Sequence, residues 1–226
     1  MTCEIRYRQS VLHIESDVNP QDPAFDALIE FYRLIEEYTH KNPLFATSYT
    51  PLKRDSSAPE IISEMISASI KMNVGPMASV AGAASLHVAK KLEALGAEHV
   101  IVENGGDIYA KVAEKQKIKL HAGPSPLSGK LAFTILPEET PLGVCTSAAS
   151  TGHSISLGKA DALTVFAHNV VLADAAATAL ANKIEGPAAY DNLIEEVGGN
   201  PDLDGVLAVV GDELCCFGRL PEITKI

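Results

Sequence analysis

Asp174 and Thr178 stand four residues apart inside Leu172–Ile184, a run of good helix formers with alanine at 173, 175, 176, 177, 179 and 181. At 3.6 residues per turn that spacing stacks the carboxylate and the hydroxyl on one helical face. Two oxygens so placed could share one hard cation such as Mg²⁺. Two plainer roles compete with this one. A carboxylate in a first turn is favoured by the helix dipole alone, and the hydroxyl can bond back to the carbonyl at 174. The spacing leaves these readings open.

A second concentration of chemistry lies just upstream. Thr146, Ser147, Ser150, Thr151, His153, Ser154 and Ser156 place seven hydroxyl or imidazole groups in eleven residues, ahead of an apolar strand at Ala162–Ala167. That density is too high for a core, and a ligand is its simplest explanation, which puts His153 and Lys159 in a pocket. Gly158-Lys159 does not complete a phosphate-binding P-loop: five residues separate Gly152 from Gly158, and Ala160 stands where a hydroxyl should hold Mg²⁺. Two glycine-rich points complete the set. Gly75-Pro76 opens a helix whose face is small (Ala78, Ser79, Ala81, Gly82, Ala84, Ser85), suited to close approach by a backbone or flat ligand, with a helix start that can attract an anion. Asn104-Gly105-Gly106-Asp107 reads either as a hairpin turn or as a glycine turn that lets a ligand approach, with Asp107 as an acceptor at its rim.

The elements that must carry these groups follow from periodicity. Ile5–Ile14 suggests two strands around a Gln9-Ser10 turn. Pro23–His40 places Phe25, Leu28, Ile29, Tyr32, Ile35 and Tyr38 on one helical face. The stretch 44–58 reads as a loop, and a helix follows Pro59 with Ile61, Ile62, Met65, Ile66 and Ile70 on its buried side. After the helix that ends at Gly96, strands are expected at 99–103, 108–112, 118–123, 130–135, 144–146, 162–167, 206–210 and 214–217, with a further helix at 188–197. The order small-residue helix, strand, Gly/Asp turn, strand occurs twice, from Met77 to Ala110 and from Leu172 to Phe217, the second time with the extra helix inserted. Such a duplicated α+β unit sets the two special helices in equivalent places across a central cleft.

Composition bounds the function. With 226 residues and 46% hydrophobic content the chain can bury a substantial core as one domain, 1–226, built of two intimately packed halves, roughly 1–145 and 146–226. A net charge of −11 with only 18 basic residues and no basic cluster argues against nucleic acid or an anionic membrane surface. No leader pattern precedes residue 20 and no apolar run approaches the ~18 residues a span needs, so the expected location is cytoplasmic. Cys3, Cys145, Cys215 and Cys216 lack metal-site or redox spacing and read as free thiols.

Four ordered motifs carry a resemblance: V-G-P-M-A-S-V-A-G-A, V-E-N-G-G-D-I-Y, T-S-A-A-S-T-G-H-S-I-S-L-G-K-A-D-A and L-A-D-A-A-A-T-A-L-A-N-K. Together they resemble the short, cytoplasmic branch of the ApbE superfamily, uncharacterised protein family 0280, over nearly the whole chain. The resemblance implies two related α+β halves of the T-fold-like kind. ApbE enzymes are Mg²⁺-dependent flavin transferases that move FMN from FAD onto a Ser or Thr of an acceptor protein. By the same resemblance Asp174 and Thr178, with the Ala78 carbonyl, are metal ligands. Gly75, Pro76, Ala78 and Ser79 form the ligand-binding helix start, Asn104, Gly105, Gly106 and Asp107 the nucleotide turn, and Thr146 and Ser147 match the T-S-G segment. The lysine of the family's helix start is Ser79 here, and the family's histidine-bearing insertion is replaced by Gly152–Lys159, so that His153 stands nearest to that histidine.

Three functions follow for a small anionic, nucleotide-like ligand. The first is an enzyme acting on FAD or a similar pyrophosphate, with Mg²⁺ neutralising the phosphates and His153 or Lys159 moving protons or stabilising charge. The second is a flavin- or nucleotide-binding protein without transfer activity. The third is an accessory protein in sulfur assimilation into homocysteine, with which this short branch is associated.

Overall fold

The computed structural model describes residues 1–147, 160–184 and 190–226. The chain opens with a hairpin of β1 (Thr2–Tyr7) and β2 (Ser10–Ser16), whose turn falls at Arg8-Gln9, one residue earlier than expected, with Arg8 at φ 53°. Helix α1 (Gln21–Lys41) buries Ala24, Ala27, Leu28, Phe31 and Ile35. This stripe is turned from the expected one, and Phe25 and Ile29 are left partly in solvent. Alanines on the contact face let α1 lie close to the helix beneath it, which large side chains at those positions would prevent.

The stretch expected to be a loop holds a short helix, α2 (Leu44–Thr47), pinned by the fully buried Phe45, whose ring lies 5.0 Å from that of Tyr38. Helix α3 (Glu60–Met72) begins after Pro59 and ends at Asn73 in the left-handed conformation. A 3-10 turn, Pro76–Ser79, then leads into α4 (Val80–Ala94), which stops before Gly96 at φ 96°. Strands β3 (Val100–Asn104) and β4 (Asp107–Lys111) form a tight hairpin. Its two central residues, Gly105 at φ 64° and Gly106 at φ 103°, supply the positive φ pair that a two-residue type I′ turn demands.

The remaining elements are β5 (Gln116–Lys119), β6 (Leu131–Ile135), β7 (Leu142–Ser147), β8 (Ala162–Ala167), α5 (Val170–Ala181), α6 (Tyr190–Gly198), β9 (Gly205–Val210), β10 (Glu213–Gly218) and β11 (Glu222–Lys225). β11 carries no turn signal or alternation long enough to mark it in the sequence.

Eight strands form one antiparallel sheet in the order β1-β2-β3-β4-β7-β8-β9-β10, and β11-β6-β5 form a second, smaller sheet. The large sheet therefore reads as two blocks of the same order, hairpin, helices, hairpin, joined where β4 pairs with β7. One face of the large sheet packs on the helices, around Phe31, Met65, Val88, Leu163, Val165 and Leu180. The other packs on the small sheet, around Phe133, Phe166, Leu207 and Val209. The fold is α+β, with the small-residue helices α4 and α5 packed against each other on the helical face. Among the described residues no helix is long and apolar enough to cross a membrane.

Candidate functional site

Helix α5 is nearly all small or aliphatic, so it can sink between α4 and the sheet. Asn169 caps it by accepting the Leu172 N–H at 2.9 Å, which starts the helix two residues earlier than the alanine pattern alone suggests. Two glycines set how deep it lies. A Cβ on Gly143 of β7 would stand 2.5 Å from the Val170 Cα, and one on Gly82 of α4 would stand 2.9 Å from both the Asp174 Cβ and the Val170 carbonyl oxygen. Backbone meets backbone at both points because neither position carries a side chain.

That approach brings the three residues matched as metal ligands together. Asp174, 6% exposed, accepts the Gly82 N–H on Oδ2 at 2.8 Å. Thr178 donates its hydroxyl to the Ala78 carbonyl oxygen at 3.3 Å, across 100 residues of chain, rather than to the carbonyl at 174. A carboxylate, a hydroxyl and a backbone carbonyl are an all-oxygen donor set of the kind a hard cation takes. The same contacts also serve structure, since Asp174 satisfies a first-turn N–H of α4 that has no partner within its own helix. Among the described residues no group of three or more His, Cys, Asp or Glu side chains is arranged to hold a metal by itself.

The electrostatics reinforce the grouping. Burial lifts the Asp174 carboxyl from its usual 3.8 to about 7, against the pull of the Gly82 and Ala81 N–H groups. Asp107 lies at the start of β4, directly opposite Cys145 of β7. Its carboxyl is pushed well above the ordinary range, by burial first and by the charge of Asp174 second, while a hydrogen bond from the Cys145 thiol opposes the shift. Cys145, fully buried, is itself pushed well up by burial and by the two carboxylates. The half-buried Asp107 thus lies within electrostatic reach of the buried Asp174, which sits beside the Ala78 carbonyl and the Thr178 hydroxyl. Ser147, two residues along β7 from Cys145 and therefore on the same face, is 6% exposed with a buried hydroxyl that has no hydrogen-bond partner among the described residues.

The other expected residues take distinct places. Gly75 sits beneath the α2 loop, where a Cβ would meet the Ser48 carbonyl oxygen at 1.9 Å. Pro76 is buried, and Ser79 bonds back to the Pro76 carbonyl at 3.1 Å. Asn104 is a strut, donating to the Ala81 carbonyl at 3.3 Å and to Ser10 Oγ at 3.4 Å. Gly105, Gly106 and Thr146 line a cavity of about 550 Å³ on the opposite face of the sheet, between it and the small sheet. Thr146 Oγ1 lies 2.8 Å from Thr164 Oγ1 there. Ile108, Ile118, Leu120, Phe133 and Val144 give the cavity its apolar lining, and His13, Lys119 and His121 ring its mouth together with Glu103. The turn at 105–106 separates this cavity from the carboxylate pair by the thickness of the sheet. His153 and Lys159 lie outside the described residues.

The small face that sequence reasoning marked for close backbone approach does receive α5 at Gly82, whereas the roles of Cys145 and Gly143 and the rim of His13, Glu103, Lys119 and His121 were missed. Of those missed, only Cys145 carried a signal, as the residue immediately before the polar cluster. The others acquire their roles from contacts across the fold.

Known proteins extend the picture. A family model described as AbpE bacteria matches residues 2–211. A UPF0280 protein of Methanocella arvoryzae is 34% identical over 224 residues, covering 99% of this chain and 91% of that one. A UPF0280 protein of Methanocaldococcus jannaschii is 42% identical over 196 residues, 84% of this chain and 79% of its own. Among solved structures, the flavin transferase ApbE of Vibrio cholerae, as its H257G mutant, superposes with a TM-score of 0.60 at 14% identity over 97% of each chain. The ApbE protein of Thermotoga maritima gives 0.62 at 11% identity over 95% of this chain and 96% of that one. At such identities the structures establish a shared fold, while the family match and the relatives carry the assignment. The chain belongs to the family described as AbpE bacteria, together with the UPF0280 proteins.

Proposed function

We propose that this chain binds a flavin nucleotide, FAD or FMN, together with Mg²⁺ at the junction of α4, α5 and the β4–β7 pair. One observation carries the reading: the Ala78 carbonyl, the Thr178 hydroxyl and the Asp174 carboxylate converge from distant parts of the chain, with Asp107 alongside. No cation is among the groups that act on the buried Asp174 and the half-buried Asp107, and a divalent cation would relieve both. Mg²⁺ keeps several waters and recruits ligand phosphates, so a site with one or two carboxylates suits a phosphate-bearing ligand better than a preformed cage.

Asp174, Thr178 and the Ala78 carbonyl would hold the ion, whose contribution is to neutralise phosphate charge. Asp107 and the unpartnered Ser147 hydroxyl face the same side and would orient the ligand. The Gly105–Gly106 turn, free of side chains, would let the nucleotide cross the end of the sheet and seat a planar ring in the 550 Å³ cavity. His153 and Lys159 remain the groups proposed to assist proton transfer, should FMN pass to an acceptor protein. Cys3, Cys145 and Cys216 are free thiols, which supports a reducing, cytoplasmic setting, and the continuous sheet supports one domain with two halves.

The test is thermal denaturation with FAD, FMN or ADP, each with and without Mg²⁺. A ligand that binds only the native state raises the melting temperature according to RT ln(1 + [L]/Kd). The reading requires a flavin-dependent rise that Mg²⁺ enlarges. No rise with either flavin, at concentrations that saturate known flavin sites, sinks it. Incubation with FAD and a candidate acceptor, read as a gain of covalent FMN by mass spectrometry, separates transfer from binding alone.

A further inference from the structure

The β3–β4 turn keeps one of its own backbone donors occupied. Gly106 stands outside the ladder, which ends at the Asn104–Asp107 pair. Its carbonyl accepts the Thr146 N–H at 3.1 Å, so the turn is tied to β7. Its N–H is taken by Glu103 Oε1 at 2.9 Å. A part-buried N–H needs an acceptor, and here the acceptor is a carboxylate on a rotatable side chain, 29% exposed, rather than a backbone carbonyl. The donor is fixed and its partner can move.

Strand register supplies the place to which it can move. His13 of β2 lies directly opposite Glu103, and Glu4 of β1 lies directly opposite His13. The His13 imidazole has Nε2 3.9 Å from Glu103 Oε2 and Nδ1 3.6 Å from Glu4 Oε2. A rotation of the Glu103 side chain therefore exchanges the Gly106 N–H for the imidazole. Charge gives that exchange a consequence. Lys119 and His121, at the mouth of the cavity that Glu103 and Gly106 also line, have no ion pair among the described residues. In a chain of net charge −11 they draw anions toward the turn, and Glu103 opposes them from it. Its charge also reaches the far face of the sheet, where, after burial and Asp174, it adds to the upward push on the Asp107 carboxyl.

We propose that Glu103 is a resident anion at the glycine turn, which a ligand phosphate displaces from the Gly106 N–H toward His13, and that it thereby sets how this site discriminates between flavins by charge. This role rests on the flavin site proposed above, in which the nucleotide crosses the end of the sheet at this turn.

The probes are FMN and riboflavin, which share the ring and differ by the phosphate, titrated by flavin fluorescence with saturating Mg²⁺. Glu103→Gln keeps an oxygen for the Gly106 N–H, so without ligand it should melt with the wild-type protein. It removes one negative charge from the path of the phosphate. On a part-exposed turn a charge several ångströms away is worth about tenfold in affinity. FMN should therefore bind about tenfold more tightly to the variant, while riboflavin binds both proteins equally or neither. His13→Asn should weaken FMN binding in the wild-type background and have no effect in Glu103→Gln, where no displaced carboxylate needs the imidazole. That non-additivity reads the exchange itself.

Unchanged or weaker FMN binding by Glu103→Gln, a gain that riboflavin shares equally, additive effects of the two changes, or a variant that melts well below the wild-type protein would each overturn the role of Glu103 while leaving the flavin site in place. Absence of binding by both flavins to both proteins removes the flavin site itself, and this role with it.

Discussion

The Gly82 N–H donates to Asp174 Oδ2 at 2.8 Å, joining the first turn of α4 to the first turns of α5 across 92 residues of chain. The bond exists because Gly82 has no side chain where the Asp174 Cβ comes to rest. One contact thus places a carboxylate beside the Ala78 carbonyl and ties the helices of the two strand blocks together.

Gly82→Ala should test how far that closeness is required. Its Cβ would stand 2.9 Å from a side-chain carbon and from a backbone oxygen, neither at the end of a flexible chain, so the helices must part. Overpacking of this kind costs about 1–3 kcal/mol. Chemical denaturation should show a loss of that order, and Mg²⁺-dependent nucleotide stabilisation should fall with it. Wild-type stability in the variant would mean the helix pair adjusts freely.

Asp174→Asn is expected to separate the two roles of that side chain. Asparagine can still accept the Gly82 N–H, and it removes a carboxylate that burial disfavours. The variant should fold and, without Mg²⁺ at pH 8, melt no lower than the wild-type protein, yet its nucleotide binding should no longer respond to Mg²⁺. A variant that fails to fold would assign Asp174 to structure alone, and an unchanged Mg²⁺ response would remove it from the cation site.

The pH dependence has a definite sign. With its carboxyl near 7 in the folded chain and near the usual 3.8 in the unfolded one, Asp174 holds its proton in the native state over a window where the unfolded state has released it. Its contribution therefore falls as pH rises from about 4 to about 7 and stays low above that. Melting temperature should decline over this window without a cation, and the decline should flatten with saturating Mg²⁺ or in Asp174→Asn. A profile that is flat in all three conditions would contradict the shift.

Thr178→Val removes one hydroxyl at nearly constant volume. Losing its bond to the Ala78 carbonyl should cost about 1 kcal/mol and reduce the Mg²⁺ effect on nucleotide binding. Isothermal titration with and without Mg²⁺ checks it, and full retention of the Mg²⁺ effect would exclude the hydroxyl from the ion's shell.

The sequence by itself determined the elements whose signals are local. Alternation and glycine turns marked the β3–β4 and β9–β10 hairpins, since Gly105, Gly106 and Gly211 supply the positive φ that their turns need. The alanine run marked α5, and the stacking of Asp174 and Thr178 follows from helical period alone. The same local logic missed α2, which is held by the burial of Phe45, and turned the buried stripe of α1, where packing favoured alanine over the larger Phe25 and Ile29. Only the tertiary structure decided that β4 pairs with β7, that Asp107 thereby faces Cys145, and that Thr178 meets the Ala78 carbonyl. Periods of 2 and 3.6 residues say which face of an element is apolar, but not which element that face will meet. That choice rests on volumes across the interface, and here it is made by two positions without side chains, Gly82 and Gly143, where α5 can lie against backbone.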